Sequence, residues 1–287
     1  MLSILADFNS RIFIFLSMQI IEQDSYLAPY ANILQNRQKR LDSRPDEINK
    51  HFDSLLNFAS WHKELGFHIE KGQLVYRDWI PQVQQVSLVG DFNSWNTDAH
   101  SMTRGNSDLW WIKISLKDFP EGSPHQQKIK LRIKTEKGDY IDRIPAMMQY
   151  CFQDPTSNEF YGSLWFPKKK YVWKHNAPKS PKQLLIYEAH VGMAQEKSGL
   201  GTYVEFRDEI LPRIAEGNYN AIQLMGIQEH PYYGSFGYQV SSYFAPSSRF
   251  GTPDELKSLI DKAHSYGIAV ILDLVHSHSV KNTLDGL

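Results

Sequence analysis

The last part of the chain alternates short apolar runs with segments of helical period, and this order constrains the fold more than any other feature. Residues 184–187, 221–225 and 268–275 predict three buried strands. The segments between them predict two helices, one over residues 203–215 and one that begins after Thr252. A strand–helix–strand–helix–strand order implies a parallel sheet with helices packed against it.

Both helices carry sequence signals at their ends. Thr202 and Glu205 predict a capping box at the start of the first helix, and Gly217 predicts its end. Residues 252–255 (TPDE) predict a second capping box with proline at the first helical position, and Gly267 predicts the end of that helix. Each helix is therefore expected to begin directly after a threonine.

Two architectures begin with this order of elements, an open doubly wound sheet and a (β/α)₈ barrel. No glycine-rich phosphate loop follows any of the three strands, which disfavours a nucleotide-binding sheet. A barrel needs roughly 250 residues, whereas about 104 remain from residue 184 to residue 287. Three strands of a barrel cannot close it.

The rest of the sequence predicts a multidomain chain with three further segments. Residues 64–167 contain short alternating runs separated by turn residues, a pattern that predicts an immunoglobulin-like β-sandwich. Residues 1–63 have a helical pattern with charged stretches. Residues 168–183 contain three consecutive lysines and two prolines, which predict a solvated linker to the α/β part, residues 184–287.

Charge and cysteine content exclude several classes of partner. The chain has 31 Lys and Arg against 32 Asp and Glu, which argues against nucleic-acid and membrane partners because these need clustered, uncompensated cations. A single cysteine, Cys151, rules out a disulfide within the chain, so we expect a reducing compartment and a cytoplasmic protein. The apolar residues 12–21 are too few to span a bilayer and predict a buried helix.

Asp273 is the residue whose position most strongly indicates chemistry. It interrupts the apolar run of residues 269–275, which we expect to be buried on both faces of the sheet. An unpaired carboxylate there costs several kcal/mol. It also lies near the C-terminal end of its strand, where the sites of barrels and open sheets collect. The structural alternative is a carboxylate that caps the N–H groups of a neighbouring loop.

Two histidines follow Asp273. His276 and His278 would share one face of a strand, which suggests a metal site, but no acidic or histidine cluster supplies further ligands. We therefore expect no metal and no other cofactor. On a straight strand Asp273 and His278 point to opposite faces, so they converge only if the chain turns over the sheet after Val275.

Aromatic residues make up 13% of the chain, and many fall in a long connection, residues 226–251. Connections of this length more often have a function than not. Aromatic rings complement the flat apolar faces of sugars. These rings suit a flat, hydroxylated ligand, unless they pack only against one another. In the sandwich, Trp79 and Trp110 are expected in the core, whereas Trp95 lies on a turn and is harder to bury.

Residues 187–192 have the sequence YEAHVG, and residues 223–278 include the runs GSFGYQV and VILDLVHSH. These runs resemble the first barrel strands of the eukaryotic-type glycogen and starch branching enzymes, which belong to the α-amylase superfamily. Residues 78–81 (DWIP) and 90–96 (GDFNSWN) resemble the carbohydrate-binding module that precedes the barrel in that family. Residues 25–30 resemble the start of its N-terminal helical segment, so that the resemblance covers about residue 22 to the last residue.

The resemblance implies a retaining glycosyltransferase that cuts an α-1,4-glucan and rejoins the freed segment through an α-1,6 bond. The implied fold over residues 184–287 is the first three β/α units of an incomplete (β/α)₈ TIM barrel. The implied partner is an α-glucan, either glycogen or a starch-like polymer. Asp273 and His278 would contact the sugar at the cleavage subsite, and Tyr238 would stack on the same sugar.

The resemblance also assigns surface glucan contacts to the sandwich module, at Trp79, Pro81 and Trp95. In the family, the nucleophilic aspartate, the acid/base glutamate and the stabilising aspartate lie on later strands, beyond Leu287. We therefore expect no catalytic residue and no activity in this chain alone, and low solubility because residues 268–275 form an uncovered apolar edge.

Three alternatives remain open from the sequence. The first is a non-catalytic glucan-binding protein that uses the sandwich. The second is a debranching hydrolase of the same superfamily, against which the motif at residues 232–243 argues. The third is a metal-dependent barrel hydrolase that uses His276 and His278.

Overall fold

The computed structural model describes residues 20–281. The helix predicted for residues 12–21 therefore lies almost entirely outside the described residues. The chain divides into two compact units, Met1–Glu64 and Leu65–Leu287. Among residues 20–281, no helix is both long enough and apolar enough to cross a membrane.

The first unit is helical over its described residues. A 3-10 helix, Ser25–Tyr30, is followed by α1 (Ala31–Phe52) and by the short α2 (Leu55–Ala59). The Asp24 carboxylate accepts from the Tyr26 N–H, and the Ser54 hydroxyl accepts from the Asn57 N–H. These two polar side chains satisfy N–H groups that have no partner within the first turn of their helices.

The second unit begins with a β-sandwich of two antiparallel sheets, as the turn-punctuated pattern predicts. Its strands are β1 (Gly66–Glu70), β2 (Gln73–Trp79), β3 (Val83–Gly90), β4 (Thr103–Arg104), β5 (Leu109–Ser115), β6 (Lys128–Thr135), β7 (Tyr140–Arg143), β8 (Cys151–Gln153) and β9 (Phe160–Ser163). One sheet has the order β1-β2-β5-β4 and the other the order β3-β6-β9-β8, with β7 paired to β6.

The alternation of side chains along the strands builds the sandwich core. On β5, Trp110, Ile112 and Ile114 are buried between the sheets, whereas Trp111 between them is partly exposed. Trp110 therefore lies in the core, as expected. The same core includes Ala245 from the α/β part, so the two parts of this unit share packed apolar surface.

The α/β part follows, and up to residue 281 it has five strands and two helices. Its strands are β10 (Ile186–Ala189), β11 (Ala221–Leu224), β12 (Gln228–Glu229), β13 (Ser242–Pro246) and β14 (Ala269–Leu272). Helix α3 consists of an α-turn (Tyr203–Glu205), a π-helical segment (Phe206–Ile210) and a second α segment (Leu211–Glu216), and helix α4 is Pro253–Ser265. Strands β10, β11 and β14 form a parallel sheet in that order, which confirms the predicted alternation.

Both predicted capping boxes are present. The Thr202 hydroxyl accepts from the Glu205 N–H at 3.1 Å, and the Glu205 carboxylate accepts from the Thr202 N–H at 3.0 Å. Thr252 and Glu255 make the same pair of bonds at the start of α4, with Pro253 at the first helical position. The starts of these two helices are thus determined by local sequence.

The predicted burial of the outer strands is wrong. Residues 184–187 are exposed, and β14 is only four residues long, with Leu272 at its end 41% exposed. Only the central strand is well buried: Ile222 and Leu224 pack with the helices, whereas the side chain of Gln223 faces the other side and donates to Glu188 at 3.0 Å. The helices thus cover one face of this three-stranded sheet, and β10 and β14 are its edges.

The predicted linker, residues 168–183, is exposed at its lysines but is not a free tether. The Tyr171 hydroxyl and the backbone N–H groups of Lys174 and His175 all donate to the carboxylate of Asp261 on α4. This part of the segment is therefore fixed to the α/β part, a contact between residues about 90 positions apart that no local pattern predicts.

Candidate functional site

The long aromatic connection, residues 226–251, contains the antiparallel pair β12 and β13, which the sequence pattern did not predict. Its stem is held by Gln228, a buried side chain whose amide donates to the Tyr243 carbonyl at 3.0 Å. The Gln228 side-chain oxygen accepts from the Val275 N–H, also at 3.0 Å. The buried Gln228 amide thus connects the hairpin by hydrogen bonds to the segment that follows β14.

Two glycines bring the tip of this hairpin back to the end of β11. Gly226 has φ +51° and Gly237 has φ +89°. A Cβ on Gly226 would lie 2.0 Å from the Phe236 carbonyl oxygen, and a Cβ on Gly237 would lie 2.0 Å from the Gly226 carbonyl oxygen. Only glycine permits both the positive φ and this approach of backbone to backbone. The next residue, Tyr238, is thereby placed over the ends of the strands.

Tyr238 connects the two polar residues that the sequence singled out after β14. Its hydroxyl donates to Oδ2 of Asp273 at 2.6 Å, and its carbonyl oxygen lies 2.8 Å from Nε2 of His278, which is the distance of a hydrogen bond donated by that ring nitrogen. Burial raises the pKa of Tyr238 to about 12, and the hydrogen bond to Asp273 adds to the rise. The hydroxyl therefore remains a donor across the neutral pH range.

Asp273 and His278 converge only if the chain turns over the sheet after its strand, as expected from the sequence. Strand β14 ends at Leu272, and the chain then crosses the hairpin, where the Tyr243 hydroxyl donates to the His278 carbonyl at 3.0 Å. Asp273 is only half-buried, so the expectation that it lies inside a strand buried on both faces is wrong. The position just beyond the C-terminal end of the strand is the one expected for a site in a parallel α/β fold.

The strand on which a two-histidine metal site would depend does not exist. His276 and His278 follow the end of β14 in irregular backbone, and His276 is exposed. Among residues 20–281, no group of three or more His, Cys, Asp or Glu side chains is arranged to hold a metal ion. Cys151 is fully buried, and burial raises the pKa of its thiol to about 12, so the thiol is unreactive.

The remaining aromatic residues of the connection divide into two groups. Tyr232, Phe236 and Phe244 are exposed and available to a ligand. Tyr233 is half-buried, packs with the helices and donates to the Gly192 carbonyl at 3.4 Å. Both alternatives expected for this connection are therefore present: some rings pack within the protein, and others are exposed to solvent where a ligand can reach them.

Glu229 is a buried residue of this hairpin whose role the sequence pattern did not indicate. It is 0% exposed, and its carboxylate accepts from the His230 N–H at 3.0 Å and from the Ser248 N–H at 2.8 Å. Burial raises its pKa to about 7, an effect that the hydrogen bonds from Ser248 and His230 and the charge of Arg249 only partly offset. Its neighbours in sequence, Gln228 and His230, are polar, so the local sequence carries no signal of its burial.

Glu229→Gln is expected to flatten the dependence of stability on pH. The folded-state pKa of about 7 exceeds the usual value of 4.5, so the folded chain keeps a proton that the unfolded chain releases. The contribution of Glu229 to stability is therefore complete below about pH 4.5 and is lost as the pH rises through about 7. Relative to the variant, the free energy of unfolding should fall by up to about 1.4 kcal/mol per pH unit in that window. Urea unfolding at several pH values measures this, and equal slopes for the two chains would contradict it.

The sandwich presents its predicted contact residues in different ways. Trp79 is 55% exposed at the end of β2, contrary to the expectation of a core position, because side chains alternate along the strand and the side chain of the preceding Asp78 is the buried one. Pro81 is half-buried beside it. Trp95 is also half-buried, and its indole N–H donates to Asp91 at 3.1 Å.

A cavity of about 310 Å³ lies between the sandwich and the hairpin. Its lining is mostly apolar and includes Trp79 and Ile80 from the sandwich and Ser242 and Tyr243 from β13. The Tyr243 hydroxyl also donates a hydrogen bond to the His278 carbonyl. The cavity therefore extends from the exposed tryptophan of the sandwich to the hairpin that carries Tyr238.

Models of two families match the two parts of the second unit. Residues 64–148 match carbohydrate-binding module 48 (isoamylase N-terminal domain), and residues 210–284 match the alpha amylase catalytic domain. The chain is 44% identical over 270 residues to a 1,4-alpha-glucan-branching enzyme of Dictyostelium discoideum. It is 46% identical over 274 residues to the 1,4-alpha-glucan-branching enzyme 2-2, chloroplastic/amyloplastic, of Arabidopsis thaliana. The chain is thus similar to 1,4-alpha-glucan-branching enzymes over nearly its whole length.

These alignments include 94% of this chain but 40% and 34% of the two relatives, so the chain spans well under half of their length. Solved structures agree with the fold. A putative alpha amylase from Salmonella typhimurium matches 76% of this chain and 34% of its own with a TM-score of 0.61 at 22% identity. The GBS pullulanase SAP in complex with maltotetraose matches 77% of this chain and 34% of its own with a TM-score of 0.63 at 20% identity. The expected fold class, a carbohydrate-binding sandwich followed by part of an amylase-type barrel, is confirmed.

Proposed function

We propose that this chain is part of a 1,4-alpha-glucan branching enzyme, which cuts an α-1,4-glucan and transfers the segment to form an α-1,6 branch. The observation that carries the proposal is the convergence of Tyr238, Asp273 and His278 at the C-terminal end of β14. The names of the relatives, which match nearly the whole chain, support the same reaction.

In this proposal the three residues bind and orient the sugar at the bond that is cleaved. The Tyr238 ring stacks on the apolar face of the sugar while its hydroxyl fixes the Asp273 carboxylate. Nε2 of His278 is held by the Tyr238 carbonyl, and Nδ1, which lies 2.9 Å from the Ser277 hydroxyl, exchanges that contact for a sugar hydroxyl. A retaining reaction also needs a nucleophilic carboxylate and an acid/base carboxyl group about 5 to 5.5 Å apart. We assign those groups to later strands of the whole protein.

The sandwich holds the same polymer at a second place. Trp79, which is exposed, stacks on a glucan ring with Pro81 beside it. Trp95 is the weaker contact because its indole N–H is already used by Asp91. A long glucan held by the module has a raised effective concentration at the barrel, which favours a polymeric substrate over short oligosaccharides.

The proposal is tested by incubating the whole protein that contains this segment with linear α-1,4-glucan. We expect new α-1,6 linkages by proton NMR with little increase in reducing ends, because each cut bond is replaced by a new glycosidic bond. A rise in reducing ends without new α-1,6 bonds would indicate a hydrolase. Glucan binding with neither change would favour a non-catalytic glucan-binding protein.

The binding part of the same experiment uses Trp79→Ala. Loss of an exposed stacking ring should weaken binding to insoluble glucan about 10-fold, which corresponds to about 1.4 kcal/mol. The matched control is Trp173→Ala, an exposed tryptophan that lies outside the sandwich, for which we expect unchanged affinity. Equal losses in the two variants would remove Trp79 from the proposed contact.

We also propose the cytoplasm as the location of this protein. The only cysteine of the chain is a buried free thiol, as expected in a reducing compartment. The Arabidopsis thaliana relative is described as chloroplastic/amyloplastic, so a plastid is the alternative in a plant cell. Cell fractionation followed by immunoblotting distinguishes the two, and a secreted pool would contradict both.

A further inference from the structure

A second cavity, which is polar, is lined by none of the residues of the proposed sugar site. It has a volume of about 490 Å³, within the range of small-ligand sites. Three segments enclose it, namely the start of the predicted linker, the π-helical segment of α3 and the outer face of α4. Its lining residues that matter here are Lys174, Arg207, Asp208, Asp261 and Lys262.

The carboxylate of Asp261 forms the base of this cavity and is fully used within the protein. It is 3% exposed and accepts from the Tyr171 hydroxyl, the Lys174 N–H, the His175 N–H and Nδ1 of His175, at 2.8 to 3.2 Å. Burial raises its pKa, but these hydrogen bonds outweigh burial and lower the pKa to about 2. Asp261 therefore holds the linker residues in place at the cavity, and its carboxylate has no lone pair left for a ligand.

The π-helical segment places Arg207 at the cavity. Short π-helical segments cost helix stability and are often found at functional sites. Arg207 is held in place, since it donates to both oxygens of Asp208 and, through another nitrogen, to the Ser258 hydroxyl at 2.8 Å. Its guanidinium group is thus pre-positioned on one side of the cavity, and Asp208 is paired with it.

The groups that remain free for a ligand are donors. The ammonium groups of Lys174 and Lys262 form no ion pair among residues 20–281, and Lys262 lies over the Tyr266 ring at 4.6 Å. With Arg207, the cavity has three cations against the two carboxylates of Asp208 and Asp261, which are already hydrogen-bonded. A neutral polyol also accepts hydrogen bonds from these donors, but an oxyanion in addition supplies the negative charge that pairs with the two unpaired ammonium groups.

We propose that this cavity binds the phosphate group of a small phosphomonoester. Lys174 and Lys262 contribute mobile ammonium groups to the phosphate oxygens, and Arg207 contributes guanidinium N–H donors from a fixed position. The three cations and two carboxylates leave one excess positive charge, which a phosphate dianion more than offsets, and the volume leaves room for a group of the size of a sugar. Since the site joins the linker to α3 and α4, its occupation holds these three segments together.

The test is isothermal titration calorimetry with inorganic phosphate, glucose 6-phosphate and glucose, each added to the protein in a buffer free of other multivalent anions. We expect saturable binding of the two phosphate compounds and none of glucose. Tighter binding of glucose 6-phosphate identifies the ester as the ligand, and equal binding identifies free phosphate. The variants Lys262→Gln and Lys174→Gln should each weaken binding about 10-fold, since each removes a charged donor.

The matched control is Lys257→Gln, on the same helix but paired with Asp254 and outside the cavity lining. It removes the same charge and should leave the affinity unchanged. Three results would overturn the proposal: no saturable binding of either phosphate compound, binding of glucose equal to that of glucose 6-phosphate, or the same weakening in Lys257→Gln. The lysines replaced are at the surface, and circular dichroism checks that each variant folds. A failure here would leave the branching function untouched, because none of these residues lies at the sugar site.

Discussion

Gly237→Ala is expected to destabilise the fold and to remove Tyr238 from the proposed sugar site. A Cβ at this position would lie 2.0 Å from the Gly226 carbonyl oxygen, and φ is +89°. The positive φ alone costs about 1 kcal/mol for a residue with a side chain. The contact is with backbone on both sides and cannot be relieved by a rotamer change, so the hairpin tip must move. We expect a total loss of about 3 kcal/mol or more in the free energy of unfolding.

The matched control for this substitution is Gly138→Ala. Gly138 has φ +93°, nearly the same as Gly237, but no atom lies within 4 Å of the position its Cβ would take. Alanine at Gly138 therefore reports the cost of the backbone conformation alone, about 1 kcal/mol. Urea unfolding of both variants gives the difference that is due to the backbone contact. Equal losses would mean that the hairpin yields without cost and that the contact does not hold Tyr238.

Helix starts were predictable because their determinants are local. Thr202 and Thr252 each lie three residues before a glutamate, and the two capping boxes follow from that spacing alone. The order of the parallel strands was predictable for a similar reason, since each apolar run is separated from the next by one helix. These features need no knowledge of what packs against them.

Burial was less predictable because it depends on which neighbours a strand has. The apolar run that contains Leu272 has the composition of a strand covered on both faces, yet in this structure the helices cover only one face of the sheet. Trp79 also differs from the expectation of burial, because the alternation of side chains along β2 places Asp78 inside and the Trp79 ring outside. Composition indicates which residues can be buried but not which partners are present.

The candidate site was predictable in its residues and only conditionally in its geometry. Asp273 and His278 were singled out from sequence, but their convergence required a turn after the strand. The turn involves a contact between Gln228 and Val275, which are 47 positions apart, and the placement of Tyr238 depends on the close approach of Gly226 and Gly237. No periodicity of the local sequence encodes such contacts.

Asp273→Asn is expected to reduce kcat/KM for branching about 100-fold in the proposed branching enzyme. The substitution keeps the shape of the side chain and an oxygen that accepts from the Tyr238 hydroxyl, but it removes the negative charge. Glycosidic cleavage develops positive charge on the sugar, so a carboxylate fixed beside it stabilises the transition state more than the ground state. A 100-fold loss corresponds to about 2.7 kcal/mol. Initial rates on linear α-1,4-glucan measure the effect.

Tyr238→Phe decides whether the tyrosine acts through Asp273. Phenylalanine retains the ring that stacks on the sugar and removes only the hydroxyl that lies 2.6 Å from the carboxylate. We expect a loss of about 10-fold, and little further loss when this change is added to Asp273→Asn, because both changes act on the same carboxylate. The control is Tyr219→Phe, which removes a hydroxyl at the other end of β11 and should leave the rate unchanged. Losses that multiply in the double variant would mean that the hydroxyl contacts the substrate directly and does not act by holding Asp273.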